Sequence, residues 1–389
     1  MATTDGSTFE SPGWEHFRDA MPVAEKWAYF DHAAVAPLSG PAGDVLARWS
    51  GDMVENGAVN WSDWNRSFGR LRRRGEQLLN ASPGEVAVIR NTTEGINIVA
   101  MGFPWRSGDN VVTLDNEFPT NRFPWMNLSR EGVETRFVQT HNGRVDLNEL
   151  DDALDERTRI LAVSWVGYDT GWRNDVKALA EIAHRHAAYF LLDAIQGLGV
   201  FPIDVKQTGV DFLAADGHKW MLGPEGTGLF FLREEHLDLL HPVGIGWNSV
   251  NNAADFSAQE MTLKQTAARY EGGSYHLGGV AALDASLGLL QSFSVDRIAN
   301  RLLDLTDKLC RRLEGIGAHV VSCRDGERRS GIVAFDLPGA DPLAAKRGCL
   351  GRGVILNARS GHLRISPHAY TNEDDIERLF EALADCRSD

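Results

Sequence analysis

Two short segments place residues of opposite chemistry at matching positions. Leu191-Leu192-Asp193-Ala194-Ile195-Gln196 is an apolar run closed by a carboxylate. Ala215-Asp216-Gly217-His218-Lys219-Trp220 follows a second apolar run, residues 212–215, and delivers a lysine after a short polar turn. A lysine amine condenses with aldehydes, and a carboxylate beside a protonated ring nitrogen keeps a heterocycle electron-poor. Taken singly, Asp193 is an ordinary strand terminus and Lys219 a solvated amine. Together at neighbouring strand ends, with Gln196 and His218 beside them, they predict a site for pyridoxal 5'-phosphate (PLP), with Lys219 and Asp193 as its catalytic residues.

Such a site needs strands that end at one edge. Short apolar runs at residues 86–89, 111–114, 135–138, 160–165, 189–193, 212–215 and 228–232 alternate with helical patterns. In the helical pattern at residues 175–187, Val176, Leu179, Ile182 and Ala183 share one face. Alternation of this kind predicts an α/β fold, a mostly parallel sheet covered on both faces, with ligands at the carboxyl ends of its strands. After about Ser274 the texture changes. Residues 277–293 and 295–313 read as helices, 332–337 and 362–365 as short strands, and 373–384 as a last helix. These make a second, smaller α+β domain, on which the residues before Trp27 are expected to pack.

The chain has 389 residues, 43% hydrophobic and 24% charged, with a formal net charge of −15. That balance suits a globular protein with a sizeable core, and the negative charge opposes nucleic-acid or anionic-membrane partners. Cys310, Cys323, Cys349 and Cys386 show no C-x-x-C spacing, so neither a metal site nor a disulfide framework is expected. The start lacks a signal-peptide pattern, and no apolar run reaches the ~18 residues of a membrane span. A cytoplasmic location follows as the expectation. His184 and His186, two apart on a helix, face different ways and make a poor metal pair. The Gly-rich stretch at residues 223–228 precedes a strand instead of opening a helix, so it fails as a dinucleotide fingerprint.

The two chemical segments, together with further motifs in the same order, resemble the class V aminotransferase family of fold-type I PLP enzymes. That family includes cysteine desulfurases, selenocysteine lyases, kynureninase and isopenicillin N epimerase-like proteins. The resemblance runs from about Tyr29 to the end of the chain. It implies a fold-type I PLP-dependent transferase: a large α/β/α domain with a mostly parallel seven-stranded sheet, residues 27–274, and a smaller α+β domain from residues 1–26 and 275–389.

The resemblance also assigns roles. Arg90-Asn91-Thr92-Thr93-Glu94-Gly95 is similar to the phosphate-cradling turn, with Thr92 and Thr93 as donors. Phe118, in Glu117-Phe118-Pro119, stands where the desulfurases stack a His on the cofactor ring. Trp165 stands where they carry Asn near the ring's phenolic oxygen, a contact left to Gln196. Asp216 and His218 resemble the polar pair that helps hold the phosphate. Gly273 and Ser274, in Arg269-Tyr270-Glu271-Gly272-Gly273-Ser274, look like the segment that reaches a partner's cofactor in a homodimer with shared sites. Arg364 resembles the arginine that grips the substrate α-carboxylate, with Arg359 as a second candidate. His32, in Tyr29-Phe30-Asp31-His32-Ala33-Ala34, lies in the early turn near the substrate.

One absence bears on the reaction. Desulfurases carry a loop cysteine shortly before the carboxylate-binding arginine, and Asn357-Ala358-Arg359-Ser360-Gly361-His362 has none. The main expectation is therefore aminotransfer at Cα of a small amino acid. The rivals are a C–S or selenocysteine lyase, a desulfurase-like reaction, an isopenicillin N epimerase-like reaction, or a non-catalytic PLP-fold binding protein.

Overall fold

The computed structural model describes residues 13–257 and 259–386. Residues 1–12, part of the segment assigned above to the smaller domain, lie outside the described residues, as do 387–389. A short strand, β1 (Ala28–Tyr29), precedes the main sheet. That sheet has seven strands: β2 (Val86–Ile89), β3 (Asn110–Leu114), β4 (Glu134–Val138), β5 (Thr158–Ser164), β6 (Tyr189–Asp193), β7 (Phe212–Asp216) and β8 (Gly228–Leu232). Their order is β2-β8-β7-β6-β5-β3-β4. Strands β4, β3, β5, β6 and β7 pair in parallel, and β8 runs antiparallel to both β7 and β2.

Successive strand side chains leave opposite faces of a sheet, so two buried faces need unbroken apolar runs. Val86 and Val88 join one core, Ala87 and Ile89 the other. Leu192 and Leu191 divide in the same way. Each fully buried Val, Ile or Leu among them contributes roughly 1.5–3 kcal/mol. The helix Thr92–Gly102 lies close on the second face because Gly95 has no Cβ; one there would stand 2.6 Å from Ala214 Cβ.

The carboxyl ends meet at one edge. Ser164 is level with Asp193, and Asp193 with Ala214, two residues before Asp216. Three consecutive strands thus deliver Ser164, Asp193 and Asp216 side by side.

The rest of the chain builds a second layer. β9 (His319–Val320), β10 (Val333–Asp336), β12 (Asn357–Arg359) and β13 (His362–Ile365) form an antiparallel sheet in the order β12-β13-β10-β9, and β11 (Val354–Ile355) pairs in parallel with β1. Its core includes Leu309, Phe335, Ile365 and Leu379. A parallel bridge joins Asp31 to Ser366. The helix Trp14–Asp19 bridges the two cores: Phe17 joins that of the main sheet and stacks on Phe293 at 4.8 Å, while Arg18 pairs with Asp375 of the last helix at 2.6 Å. Strands β1, β9, β11 and β12 have two or three residues each, too few for a periodic pattern to register. No helix among the described residues is long and apolar enough to cross a membrane.

Candidate functional site

The carboxyl edge of the main sheet and the end of the second sheet enclose a cavity of about 240 Å³. Asp193 and Lys219 line it from the first, Arg359 and Arg364 from the second. Asp193 is 2% exposed, and its Oδ1 accepts a hydrogen bond from the Ile195 amide at 3.0 Å. Burial lifts its pKa to about 6, against the pull of that amide and of the Lys219 charge. Burial acts oppositely on Lys219 and lowers it to about 8, with Asp193 resisting. Lys219 sits at the head of a tight turn closed by Leu222 N donating to Lys219 O at 3.0 Å. Leu222 holds φ +55°, a left-handed conformation that costs about 1–2 kcal/mol in a non-glycine residue.

At one end of the cavity the helix Thr92–Gly102 begins. Asn91 caps it by accepting from the Glu94 amide, and its first amides form a natural anion site. Thr92 Oγ1 accepts from the Asp216 amide at 3.0 Å, which leaves the hydroxyl hydrogen to donate. His218 Nδ1 stands 2.9 Å from Asp216 Oδ2. Thr93 Oγ1 pairs with Thr120 Oγ1 at 3.0 Å on the cavity wall.

Phe118 lies over the opening, 42% exposed, with its ring centroid 5.8 Å from Lys219 Nζ and 5.4 Å from the Tyr168 ring. An exposed aromatic ring over a half-buried amine offers a flat partner to a planar ring. Gln196 is held at both ends: Nε2 donates to Ala33 O at 3.0 Å, and Oε1 accepts from Trp220 Nε1 at 2.9 Å. Trp165 is absent from the lining. Its indole is buried over Gly197, where any Cβ would collide with it, and Ser164 and Val166 reach the cavity instead.

Sequence reasoning passed over Glu117 as a chemical group. It is buried beside the cavity, its Oε1 accepts from the Ser164 amide at 2.6 Å, and its Oε2 accepts from the Ser164 hydroxyl. Burial and the Asp193 charge push its pKa up to about 7, against the hydrogen bonds from Ser164. The available signal was weaker than for Asp193: an acid three residues past an apolar strand, behind Asp115.

On the far wall, Arg364 is 1% exposed. Nη1 donates to Tyr168 O at 2.6 Å and Nη2 to Asp31 Oδ1 at 3.2 Å. Of its five N–H groups three remain, and Nε has no partner among the described residues. Asn357 Nδ2 holds the other oxygen of Asp31 at 2.8 Å. Arg359 is exposed on the cavity wall.

One expectation needs correcting on placement. His32 does not line the cavity: its ring is fully buried, with Nδ1 2.8 Å from Ser366 O and Nε2 2.9 Å from Tyr370 Oη. Both nitrogens are spent on the second layer, and Ala33, Ala34 and Val35 face the cavity in its place. Gly273 and Ser274 line a different cavity, of about 750 Å³, which shares Asn91 and Thr93 with the first. Elsewhere, His184 and His186 bind separate carboxylates, Asp211 and Asp151, and no His, Cys, Asp and Glu cluster among the described residues could hold a metal.

The set fits the PLP expected from the sequence. It offers a half-buried amine, a buried carboxylate for a ring nitrogen, an exposed aromatic ring and a helix amino terminus with a free hydroxyl for a phosphate.

Comparison with known proteins points the same way. The model of the aminotransferase class-V family matches residues 28–379. A probable cysteine desulfurase of Methanothermobacter thermautotrophicus is 30% identical over 392 residues, covering 95% of this chain and 97% of that protein. Two structures of a C–S lyase are similar, each 24% identical over 95% of this chain. One, a cystine C–S lyase with its product cysteine persulfide, has a TM-score of 0.87 and is covered completely. The other, a mutant with glycine covalently linked to its PLP cofactor, has a TM-score of 0.88 and is 99% covered. At that identity the structural likeness establishes the shared fold.

Proposed function

The chain belongs to the aminotransferase class-V family, and on that premise we propose a PLP-dependent lyase that breaks the C–S bond of a small sulfur-bearing amino acid. When bound, PLP supplies an electron sink that weakens bonds at the substrate Cα. The residues then divide the work. Lys219 anchors the cofactor and moves the Cα proton through Nζ, a role suited to an amine lowered to about 8. Asp193 holds the ring nitrogen, Phe118 covers the ring, and Gln196 donates to its phenolic oxygen. Thr92, Thr93, Asp216 and His218 hold the phosphate. Arg364 binds the α-carboxylate through N–H groups that Asp31 and Tyr168 leave over, with Arg359 beside it. Gly273 and Ser274 complete the phosphate grip of a second copy in a homodimer.

The lining of the cavity bears on where the sulfur goes. No cysteine lines the cavity among the described residues; Cys349 lies in the core of the second layer with Sγ 4.0 Å from Cys386 Sγ. On this reading sulfur departs with the leaving group. Relatives named for carbon–sulfur chemistry support cleavage over the aminotransfer expected first. For cystine the balanced reaction with water gives pyruvate, ammonia and cysteine persulfide. The test incubates PLP-loaded protein with cystine, and separately with alanine and an oxo acid. Pyruvate and persulfide from cystine, retained when all four cysteines are replaced by serine, are expected. Amino-group exchange without release of sulfur would overturn the reading.

A further inference from the structure

Gln196 is oriented by its neighbours without ambiguity. The Trp220 indole can only donate, and it meets Oε1; the Ala33 carbonyl can only accept, and it meets Nε2. All these groups are buried. Flipping the amide would set two acceptors against each other at Ala33 and two donors at Trp220, each a buried mismatch. Nε2 keeps one hydrogen beyond the bond to Ala33, and Gln196 lines the cavity.

Trp220 is itself fixed. It is 1% exposed and stacks on His32 at 6.0 Å and 26°. His32 in turn is anchored on Ser366 and Tyr370. A line of contacts therefore runs from the second layer through His32 and Trp220 to one amide at the cavity wall.

We propose that Trp220, the residue after Lys219, is a positioning residue that holds Gln196 as an obligate hydrogen-bond donor into the cavity. The inference rests on the reading of that cavity as a PLP site, with the phenolic oxygen as the acceptor. Without the indole N–H only the Ala33 carbonyl orients the amide, so turning the Gln196 carbonyl towards that oxygen costs one buried mismatch fewer. A donor there stabilises the phenolate, so its loss makes the cofactor's chromophore hold its proton to higher pH.

The test is a visible-absorption pH titration of the PLP-loaded protein. Trp220→Phe keeps an aromatic ring and removes the pyrrole part of the indole with its N–H. The midpoint should rise by about one pH unit, the worth of one hydrogen bond to a charged group. Gln196→Met should raise it comparably, and Trp220→Phe should add nothing in that background. An unchanged midpoint in Trp220→Phe, or additive shifts in the double variant, overturns the proposal. Should Trp220→Phe not fold, hydrogen exchange of the Trp220 indole N–H settles it: at least about tenfold faster exchange in Gln196→Met than in the unaltered protein is expected, and equal rates refute it. A protein that forms no visible band with PLP refutes the premise and the inference together. A normal band indifferent to Trp220 refutes the inference alone.

Discussion

Replacing Asp193 with Asn removes the charge that resists burial at Lys219. The lysine is lowered from 10.5 to about 8, first by desolvation, with Asp193 as the largest force acting upward. At pH 7 a lysine of pKa 8 is neutral in about one molecule in ten, against about three in ten thousand at 10.5, a gain of roughly 300-fold in reactive amine. With Asn at 193, burial acts with less opposition, and the midpoint should fall below 8. Because Asp193 also serves the cofactor, the assay avoids PLP. A small aldehyde and cyanoborohydride label the cofactor-free protein across a pH series, and mass spectrometry of the Lys219 peptide gives the rate. The unaltered protein should show a midpoint near 8 and Asp193→Asn a lower one. A midpoint near 10.5, or an upward shift in the variant, would refute the electrostatic argument.

The same burial makes Lys219 a cost to the fold. Its folded pKa lies below its unfolded one, so stability rises with pH between about 8 and 10.5. Lys219→Met should therefore be more stable at pH 7 by up to about 3 kcal/mol, with the gain fading towards pH 10.5; denaturant titration at both pH values checks this. Arg364→Lys keeps the charge and loses the planar fork; KM for carboxylate-bearing substrates should rise at least about tenfold with kcat changed less, and an unchanged KM would remove Arg364 from the site. Asp211 accepts from His184, His236 and the Phe190 amide at 2.7–2.8 Å, and those bonds hold its pKa below 3.8 despite burial. Asp211→Asn should cost about 2–4 kcal/mol at pH 7. The difference should shrink only below about pH 4, as falling pH protonates the carboxyl; thermal melts across pH read it.

The main sheet and the pair Asp193 and Lys219 were legible because each rests on a local pattern, an unbroken apolar run and what ends it. Arg364 was reachable only through resemblance, since nothing within its own strand says that the guanidinium is buried against Asp31, 333 residues earlier. His32 was misplaced for the same reason: Ser366 and Tyr370, which occupy its nitrogens, are distant in the chain. Trp165 turns inward because Gly197 has no Cβ, a pairing across two strand ends that no periodicity encodes. Glu117 was visible as an acid near a strand end, but its protonation depends on burial that only packing creates.

The bridge between Asp31 and Ser366 has a consequence for how the protein is made. It ties the chain just past the first strand to the chain just past the last described strand, so it closes late on any route from ribosome to finished molecule. A nascent chain that has released residue 232 holds every strand of the main sheet, with the anchoring lysine and its aspartate. It still lacks Arg364 and Ser366, the partners of Phe30, Asp31 and His32. On the proposed function, the groups that would hold the aldehyde are thus all synthesised before the arginine that would grip the substrate carboxylate.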